Sequence, residues 1–387
     1  MNYHALGGER NGHKQVLLPP EARILGVQIY SMGTLLLTTP ALAGLRRTYP
    51  RAHIDLLASS RAAQLLVGWE VLDDIIELER YLPSDGDGKP NSKPPLSNLL
   101  RCREYDAVIV FAHLFEPITT FKLRHIVRST CARWRVGLDN GNQDFLNVRV
   151  EDHGYGAKHE ADYFIALVEA LGAQVESRRL VVPLTDAEAE QAGELLGTIG
   201  ATRPLIAMHP GSGPISHARR WPEDKFAALA DTLYQRVGGH LLLLGGMEEA
   251  DLHARIFELM CTNMPRTSLA GACGVRVTTA LLGSVDLFIG NDSGPMHLAV
   301  AAGTPTVAIF GLSNHRAWGP YLGDEPDTER VTVVHRNLSC MPCFFRDHEI
   351  GNPLGCATRD CLTGLGVDEV ADAALRALTK GREYGHL

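Results

Sequence analysis

Phe288-Ile289-Gly290-Asn291-Asp292-Ser293-Gly294-Pro295-Met296-His297-Leu298-Ala299 reads as a strand that ends in a glycine, a short polar turn, and a helix opened by proline. The unbroken apolar run before the glycine suits a parallel strand covered on both faces. Proline fits the first helical turn, where its missing N–H would have had no partner. A helix that starts directly after a strand offers unpaired N–H groups and positive potential, which suit a phosphate. Gly294 lets a ligand approach the backbone closely, and Asp292 can accept hydrogen bonds from sugar hydroxyls. An ordinary N-cap by Asp292 or Ser293 accounts for the same residues equally well.

Two further turns of this kind lie upstream. Met208-His209-Pro210-Gly211-Ser212-Gly213 follows a strand at 205–208, and Arg219-Arg220-Trp221-Pro222 then leads into a helix at 222–234. Arginine forks bind phosphate oxygens bidentately, although a basic surface pair is the plain alternative. Leu244-Gly245-Gly246-Met247-Glu248-Glu249 ends a strand at 240–244. Its glycines permit close approach, and the acids Glu248 and Glu249 have the chemistry to bind a ribose or an adenine edge; acids matched to a helix dipole are as good an explanation. Ligands of open α/β sheets bind at the carboxyl ends of strands. Three such turns on one edge are better explained by one nucleotide site than by three coincidences.

The alternation of strands and helices runs through the chain twice. Strands are predicted at 23–29, 54–58, 75–78 and 106–111, and again at 205–208, 240–244, 286–289 and 306–310. Helices are predicted at 158–171, 222–234, 247–259 and 295–302. The expectation is an α/β protein of two doubly wound, Rossmann-like domains. A polar lead-in at 1–20 precedes a first domain at 21–183, and the hinge falls around Val182-Pro183-Leu184-Thr185. The second domain is predicted at 184–364, followed by a C-terminal segment at 365–387. Residues 82–98 read as a surface loop rich in proline. In the first domain, Ser31-Met32-Gly33-Thr34 follows the first strand, and Gly33 suits a backbone that approaches a second substrate.

With 387 residues, 45% apolar and 21% charged, the composition is that of a globular protein able to bury large cores. A net charge of −8 argues against a general nucleic-acid binder. No apolar run is long enough to cross a membrane, and no secretory h-region opens the sequence. The expected location is the cytoplasm. No G-x-G-x-x-G and no Walker lysine motif supports a nicotinamide site or a P-loop. Four of the eight cysteines crowd together as Cys340-x2-Cys343-x12-Cys356-x4-Cys361. Four thiolates at such spacings suit a tetrahedral structural site for zinc or iron, with free or disulfide-paired cysteines as the alternative.

Together these segments resemble glycosyltransferase family 9, the heptosyltransferases, over roughly residues 24–378. The resemblance is carried by Gly33-x4-Thr38-Thr39-Pro40-Ala41-Leu42, His209-Pro210-Gly211-Ser212, Arg220-Trp221-Pro222, Leu243-Leu244-Gly245-Gly246 and Gly290-Asn291-Asp292-Ser293-Gly294-Pro295-Met296-His297. It implies a GT-B fold, two Rossmann-like domains facing a central cleft. The implied reaction is inverting transfer of a heptosyl group from ADP-heptose to an acceptor: lipopolysaccharide core, a small molecule or a protein. The second domain would hold the donor, the first would take the acceptor, and a helix within 365–387 would cross back to the first. By position, Asp292 looks like the acid that holds the heptose, and Ser293 and Gly294, with Pro295 and His297 behind them, look like the diphosphate contacts. Arg219 stands where relatives often place a phosphate-binding lysine. His209, Gly211, Ser212, Arg220, Gly245, Gly246 and Glu248 complete the implied donor site, and Gly33 and Thr34 its counterpart in the first domain. No divalent metal is implied for catalysis. In one branch a comparable cysteine cluster binds iron and accompanies oligomeric assembly, so a homo-oligomer is compatible with the pattern.

One position departs from the pattern. Relatives usually carry an acid directly after the glycine of the first loop, as general base; here it is Thr34. A threonine hydroxyl has no useful basicity at neutral pH. Another group supplies the base, with His113 and Glu116 as candidates; or the acceptor is a better nucleophile; or the protein binds its ligand without turning it over.

Overall fold

The computed structural model describes residues 9–10, 13–14, 16–82, 94–141, 144–213, 216–324 and 329–383. Much of the lead-in expected at 1–20, and residues 83–93 of the loop expected at 82–98, lie outside them. The chain divides into two compact units, Met1–Pro183 with Asp347–Glu349, and Leu184–Arg346 with Ile350–Leu387.

The first unit is built on six parallel strands: β1 (Arg23–Gln28), β2 (His53–Ala58), β3 (Asp74–Glu77), β4 (Ala107–Val110), β5 (Trp134–Asp139) and β6 (Val148–Glu151). Their order is β3-β2-β1-β4-β5-β6. β1, β2 and β4 are buried almost throughout, which is why their sequences show no polar alternation. Helices α1 (Met32–Leu36), α2 (Thr39–Thr48), α3 (Pro117–Ser129) and α4 (Glu160–Glu169) connect or cover them. At the amino end of the sheet, Asp106 accepts the N–H of Arg23 at 2.8 Å and so pins β1 beside β4.

The second unit repeats the plan. Its strands are β7 (Leu205–His209), β8 (His240–Gly245), β9 (Arg266–Ala270), β10 (Leu287–Asn291), β11 (Thr306–Ile309) and β12 (Val331–Val334), in the order β9-β8-β7-β10-β11-β12. All pairings are parallel. Asp286 accepts the N–H of Leu205 at 2.6 Å, the counterpart of the Asp106 clip. Helix α5 (Asp186–Ile199) opens the unit with a capping box between Thr185 and Glu188. Helices α6 (Glu223–Val237), α7 (Ala250–Leu259) and α8 (Gly294–Ala301) follow β7, β8 and β10.

The outermost strands were not visible in the sequence. β9 and β12 are only partly buried, so Arg266-Thr-Ser-Leu-Ala and Val331-Thr-Val-Val lack the continuous apolar signature of the central strands. The C-terminal segment forms a helix of the second unit. Helix α9 (Val367–Glu383) buries Val370, Ala374, Ala377 and Leu378, one face at helical spacing, in the core of the second unit beside Trp221, Phe226 and Leu229.

Asp55 on β2 is fully buried and accepts hydrogen bonds from Arg103 Nη1 (2.7 Å) and Tyr105 Oη (2.6 Å). Arg103 also reaches Asp74 on β3 at 2.6 Å. Asp55→Ala strands two donors and is expected to destabilise the first unit by about 3 kcal/mol. The check is the urea midpoint of the purified variant against wild type.

Candidate functional site

The carboxyl ends of β7, β8 and β10 bring the second unit's polar residues together. Asn291, the last residue of β10, is fully buried. Its amide nitrogen donates to the carbonyls of Pro210 (2.8 Å) and Gly211 (3.1 Å), and its oxygen accepts the N–H of Trp221 (3.0 Å). One side chain therefore fixes the turn after β7 and the start of the Trp221-Pro222 segment against the sheet edge. The segment carries the two arginines. Arg219 Nη1 donates to Asp292 Oδ2 at 3.1 Å and Nη2 to the Ser212 carbonyl at 2.8 Å. Its Nε is buried without a hydrogen-bond partner. Arg220 Nε donates to Ser212 Oγ at 3.3 Å, and Nη2 to Glu249 Oε1 at 3.5 Å.

Glu249, not the Glu248 singled out from the sequence, lies inside the cluster: Glu249 is buried and Glu248 is exposed. A short 3-10 turn at Met247–Glu249 points the second acid inward. Glu249 Oε2 lies 3.1 Å from His209 Nε2 and accepts the N–H of Gly246 at 3.3 Å. Burial raises the pKa of this carboxyl, but the hydrogen bond and charge of His209 and the charge of Arg220 outweigh it, and the net shift is downward. The neighbouring glycines are explained by this acid. A Cβ on Gly211 would sit 1.6 Å from Glu249 Oε1, and one on Gly245 would sit 2.5 Å from Oε2. Both make room for a carboxylate, where the sequence suggested room for a ligand. Gly246 faces the exposed Glu248 in the same way.

His209 Nδ1 lies 2.9 Å from Ser293 Oγ. Ser293 is the N-cap of α8, Gly294 and Pro295 start the helix, and His297 is buried in its first turn. Among the described residues, the N–H groups of Ser293 and Gly294 make no hydrogen bond to the protein.

In the first unit, Ser31 caps α1 by accepting the N–H of Thr34, and the two hydroxyls lie 3.0 Å apart. Gly33 is buried beneath this turn. His113 follows β4, and the structure contradicts its reading as a base. Its Nδ1 lies 2.8 Å from Asp152 Oδ2 and its Nε2 lies 3.0 Å from Glu160 Oε1, with all three side chains buried. Burial alone would lower the pKa, but the two carboxylates raise it to about 9. An imidazolium that donates at both nitrogens has no lone pair with which to take a proton. Glu116 caps α3, accepting the N–H groups of Ile118 (3.2 Å) and Thr119 (2.8 Å) as well as the Thr119 hydroxyl. The Thr119 hydrogen bond, with the other cap bonds, holds its pKa below the ordinary value. Its charge also helps burial to raise the pKa of Tyr30, next to the Ser31–Thr34 turn.

Cys340, Cys343, Cys356 and Cys361 border one small cavity of about 70 Å³. Burial, and then the charge of the neighbouring thiols, raises the pKa of Cys343 and Cys361, while the N–H of Arg359, 3.3 Å from Cys356 Sγ, lowers that of Cys356. The donor set has the right chemistry for zinc or iron. Even so, among the described residues no three Cys, His, Asp or Glu side chains converge closely enough to hold a metal ion. A preformed four-cysteine centre is therefore not what the structure contains.

Residues 96–352 match the family model described as glycosyltransferase family 9 (heptosyltransferase). The chain belongs to glycosyltransferase family 9. Lipopolysaccharide heptosyltransferase 3 of Escherichia coli K12 is 28% identical over 306 residues, covering 75% of this chain and 82% of that protein. Among solved structures, a family 9 glycosyltransferase from Veillonella parvula superposes with a TM-score of 0.72 at 24% identity, covering 93% of this chain and 97% of that one. E. coli heptosyltransferase WaaC, solved with ADP-2-deoxy-2-fluoro heptose, gives 0.55 at 18% identity, covering 81% and 93%. The iron-containing dodecameric glycosyltransferase TibC from enterotoxigenic E. coli gives 0.56 at 13% identity, covering 96% and 82%.

This family 9 glycosyltransferase thus has the GT-B type of fold anticipated from its sequence. No helix among its described residues is long and apolar enough to cross a membrane. Asn291 carries no role from sequence, although a polar residue ending an apolar strand is a signal; nothing in the sequence separates Glu249 from Glu248.

The His113 arrangement is open to direct test. Its pKa is raised from about 6.5 in an unfolded chain to about 9 in the folded protein. Its stabilisation is therefore fully present below about 6.5 and is lost as pH rises through about 9. Histidine-selective NMR is expected to show one ring that titrates near 9, and the thermal midpoint is expected to fall across the same window.

Proposed function

We propose that this glycosyltransferase moves a heptosyl group from ADP-heptose to a hydroxyl of a lipopolysaccharide core acceptor, with inversion at the anomeric carbon. The observation that carries the reading is the Arg219–Asp292 pair at the start of α8, beside the two open N–H groups of Ser293 and Gly294. A diphosphate there would take the guanidinium, including its unpartnered Nε, and would release Asp292 to accept from the heptose hydroxyls. The backbone amides, Arg219 and Arg220 would then face the charge that develops on the departing ADP. The E. coli relative is a lipopolysaccharide heptosyltransferase, which supports lipopolysaccharide as the acceptor. The ADP-heptose analogue bound to WaaC supports the donor.

In this reading Glu116 takes the acceptor's proton. It is ionised, partly exposed, and acts electrostatically on Tyr30 next to the first loop. Because its pKa lies below the ordinary range, the basic form persists to lower pH than a usual glutamate would allow, and activity is lost only as pH falls through that lowered value. Cys340, Cys343, Cys356 and Cys361 form no preformed centre and would have to close on a zinc or iron ion as it binds; their shared cavity and the chemistry of four thiols support that reading. The unpaired cysteines fit a reducing compartment, the cytoplasm.

The test is ADP release from ADP-heptose in the presence of heptose-deficient lipopolysaccharide. Asp292→Ala is expected to abolish it. Glu116→Gln is expected to lower kcat by about 10²–10⁴ while leaving donor binding within about twofold. Preference for a UDP-sugar overturns the donor, and ADP-heptose binding without acceptor-dependent release overturns the transfer. Metal analysis of the purified protein is expected to find about one zinc or iron per chain, lost in Cys343→Ser.

A further inference from the structure

The helix that Glu116 caps has two unlike faces. α3 buries Leu123, Ile126 and Val127 in the core of the first unit, as a helix laid against a sheet does. Its outer face is not the wholly polar one that suits water. Phe121 is 71% exposed and Ile118 is 67% exposed, three positions apart and so on one side of the helix. Around them stand Lys122, His125 and Arg128, all exposed, and the half-buried Arg124. No acid occurs from 117 to 129. Asp144 pairs with Arg124 at 2.8 Å and with Arg128 at 3.4 Å, and Glu116 lies at the N-cap. Among the described residues Lys122 is in no salt bridge, although its charge helps to lower the pKa of Glu116. With Asp144 and Glu116 set against Lys122, Arg124 and Arg128, the patch is still positive, on a chain whose net charge is −8.

We propose that this face of α3 seats the first unit on the surface of an anionic lipid bilayer, with Ile118 and Phe121 in the headgroup boundary and Lys122 and Arg128 on lipid phosphates. The choice of a bilayer rests on the acceptor reading given above: a lipopolysaccharide is held in a membrane by its lipid, so an enzyme that acts on it works at that surface. Charge and apolarity agree with the choice. Exposed apolar side chains ringed by bases, on an otherwise acidic protein, match a surface that is negative outside and apolar beneath. Position agrees as well. Glu116, the base of the proposed reaction, caps the same helix, and Phe121 lies five positions further on, about 7.5 Å along the axis. A helix resting on the bilayer by Phe121 therefore sets the base near the sugars closest to the lipid. The contact is peripheral, because the other face of α3 stays in the protein core and its 13 residues are too few to span a membrane.

The experiment is flotation of the full-length protein with vesicles of phosphatidylglycerol and phosphatidylcholine, beside vesicles of phosphatidylcholine alone, with neither donor nor acceptor present. Wild type is expected to float with the anionic vesicles and to be released by salt. Phe121→Ser is expected to weaken that binding about tenfold. Lys122→Ala, which removes an exposed charge and leaves the core untouched, is expected to weaken it about fivefold at low salt, an effect that shrinks as salt rises. Both variants are expected to keep the wild-type urea midpoint, so that lost binding is not lost folding. Wild type that stays off anionic vesicles overturns the proposal, and so does undiminished binding in Phe121→Ser. Self-association of wild type without vesicles, abolished by Phe121→Ser in sedimentation, also overturns it and gives the face to a second copy of the chain. Failure of the transfer reading shows separately, as vesicle binding without acceptor-dependent release of ADP.

Discussion

The donor-side architecture depends on one buried amide. Asn291 is fully shielded from water, and three of its hydrogen bonds go to backbone groups of segments that would otherwise be loops. A buried amide left without partners is costly. The turn at Pro210-Gly211 and the start of the Trp221 segment are thus held by the same constraint that keeps Asn291 in the strand. Arg219 and Arg220 stand just before Trp221, and Asp292 and Ser293 just after Asn291. Their mutual distances follow from where that amide is placed. Trp221 itself is anchored in the core, so the arginines project from a rigid base.

Electrostatic balance then shapes the site within this frame. Its cations and anions satisfy one another: Arg219 pairs with Asp292, and Arg220 with Glu249, which also lies against His209. The first unit shows the same economy in His113, Asp152 and Glu160, where a charged histidine is the structural link between two buried acids. The two arrangements differ in access. The His113 group is closed by the rings of Phe115, Tyr155 and Tyr163, whereas the Arg219 guanidinium keeps a donor unused.

The central strands, the three glycine-bearing turns and the family were legible because each has a local signature. Continuous apolar runs mark strands buried on both faces, and proline after Ser-Gly marks a helix start. What escaped the sequence depends on distance along the chain. His113 reads as a base in isolation, and only the return of residues 152 and 160 to its two nitrogens, 39 and 47 positions later, removes that role. Glu248 and Glu249 are chemically alike, and a single 3-10 turn decides which one is buried. The glycines were recognised as places of close approach, but what approaches Gly211 and Gly245 is the chain's own carboxylate. The half-exposed outer strands lack an apolar pattern. Helix α9 has an apolar face in its sequence, but the sequence does not say which core receives it.

That last assignment bears on the order in which the protein is made. The core of the second unit includes Val370, Ala374, Ala377 and Leu378, so it stays open until the ribosome has released residues well past the last strand of the sheet. The first unit has all six of its strands by residue 151, yet it receives Asp347–Glu349 almost two hundred positions later. Domains tend to fold as units while synthesis proceeds. Here the first can form its sheet early but must wait for its final three residues, and the second must keep apolar surface uncovered for most of its synthesis.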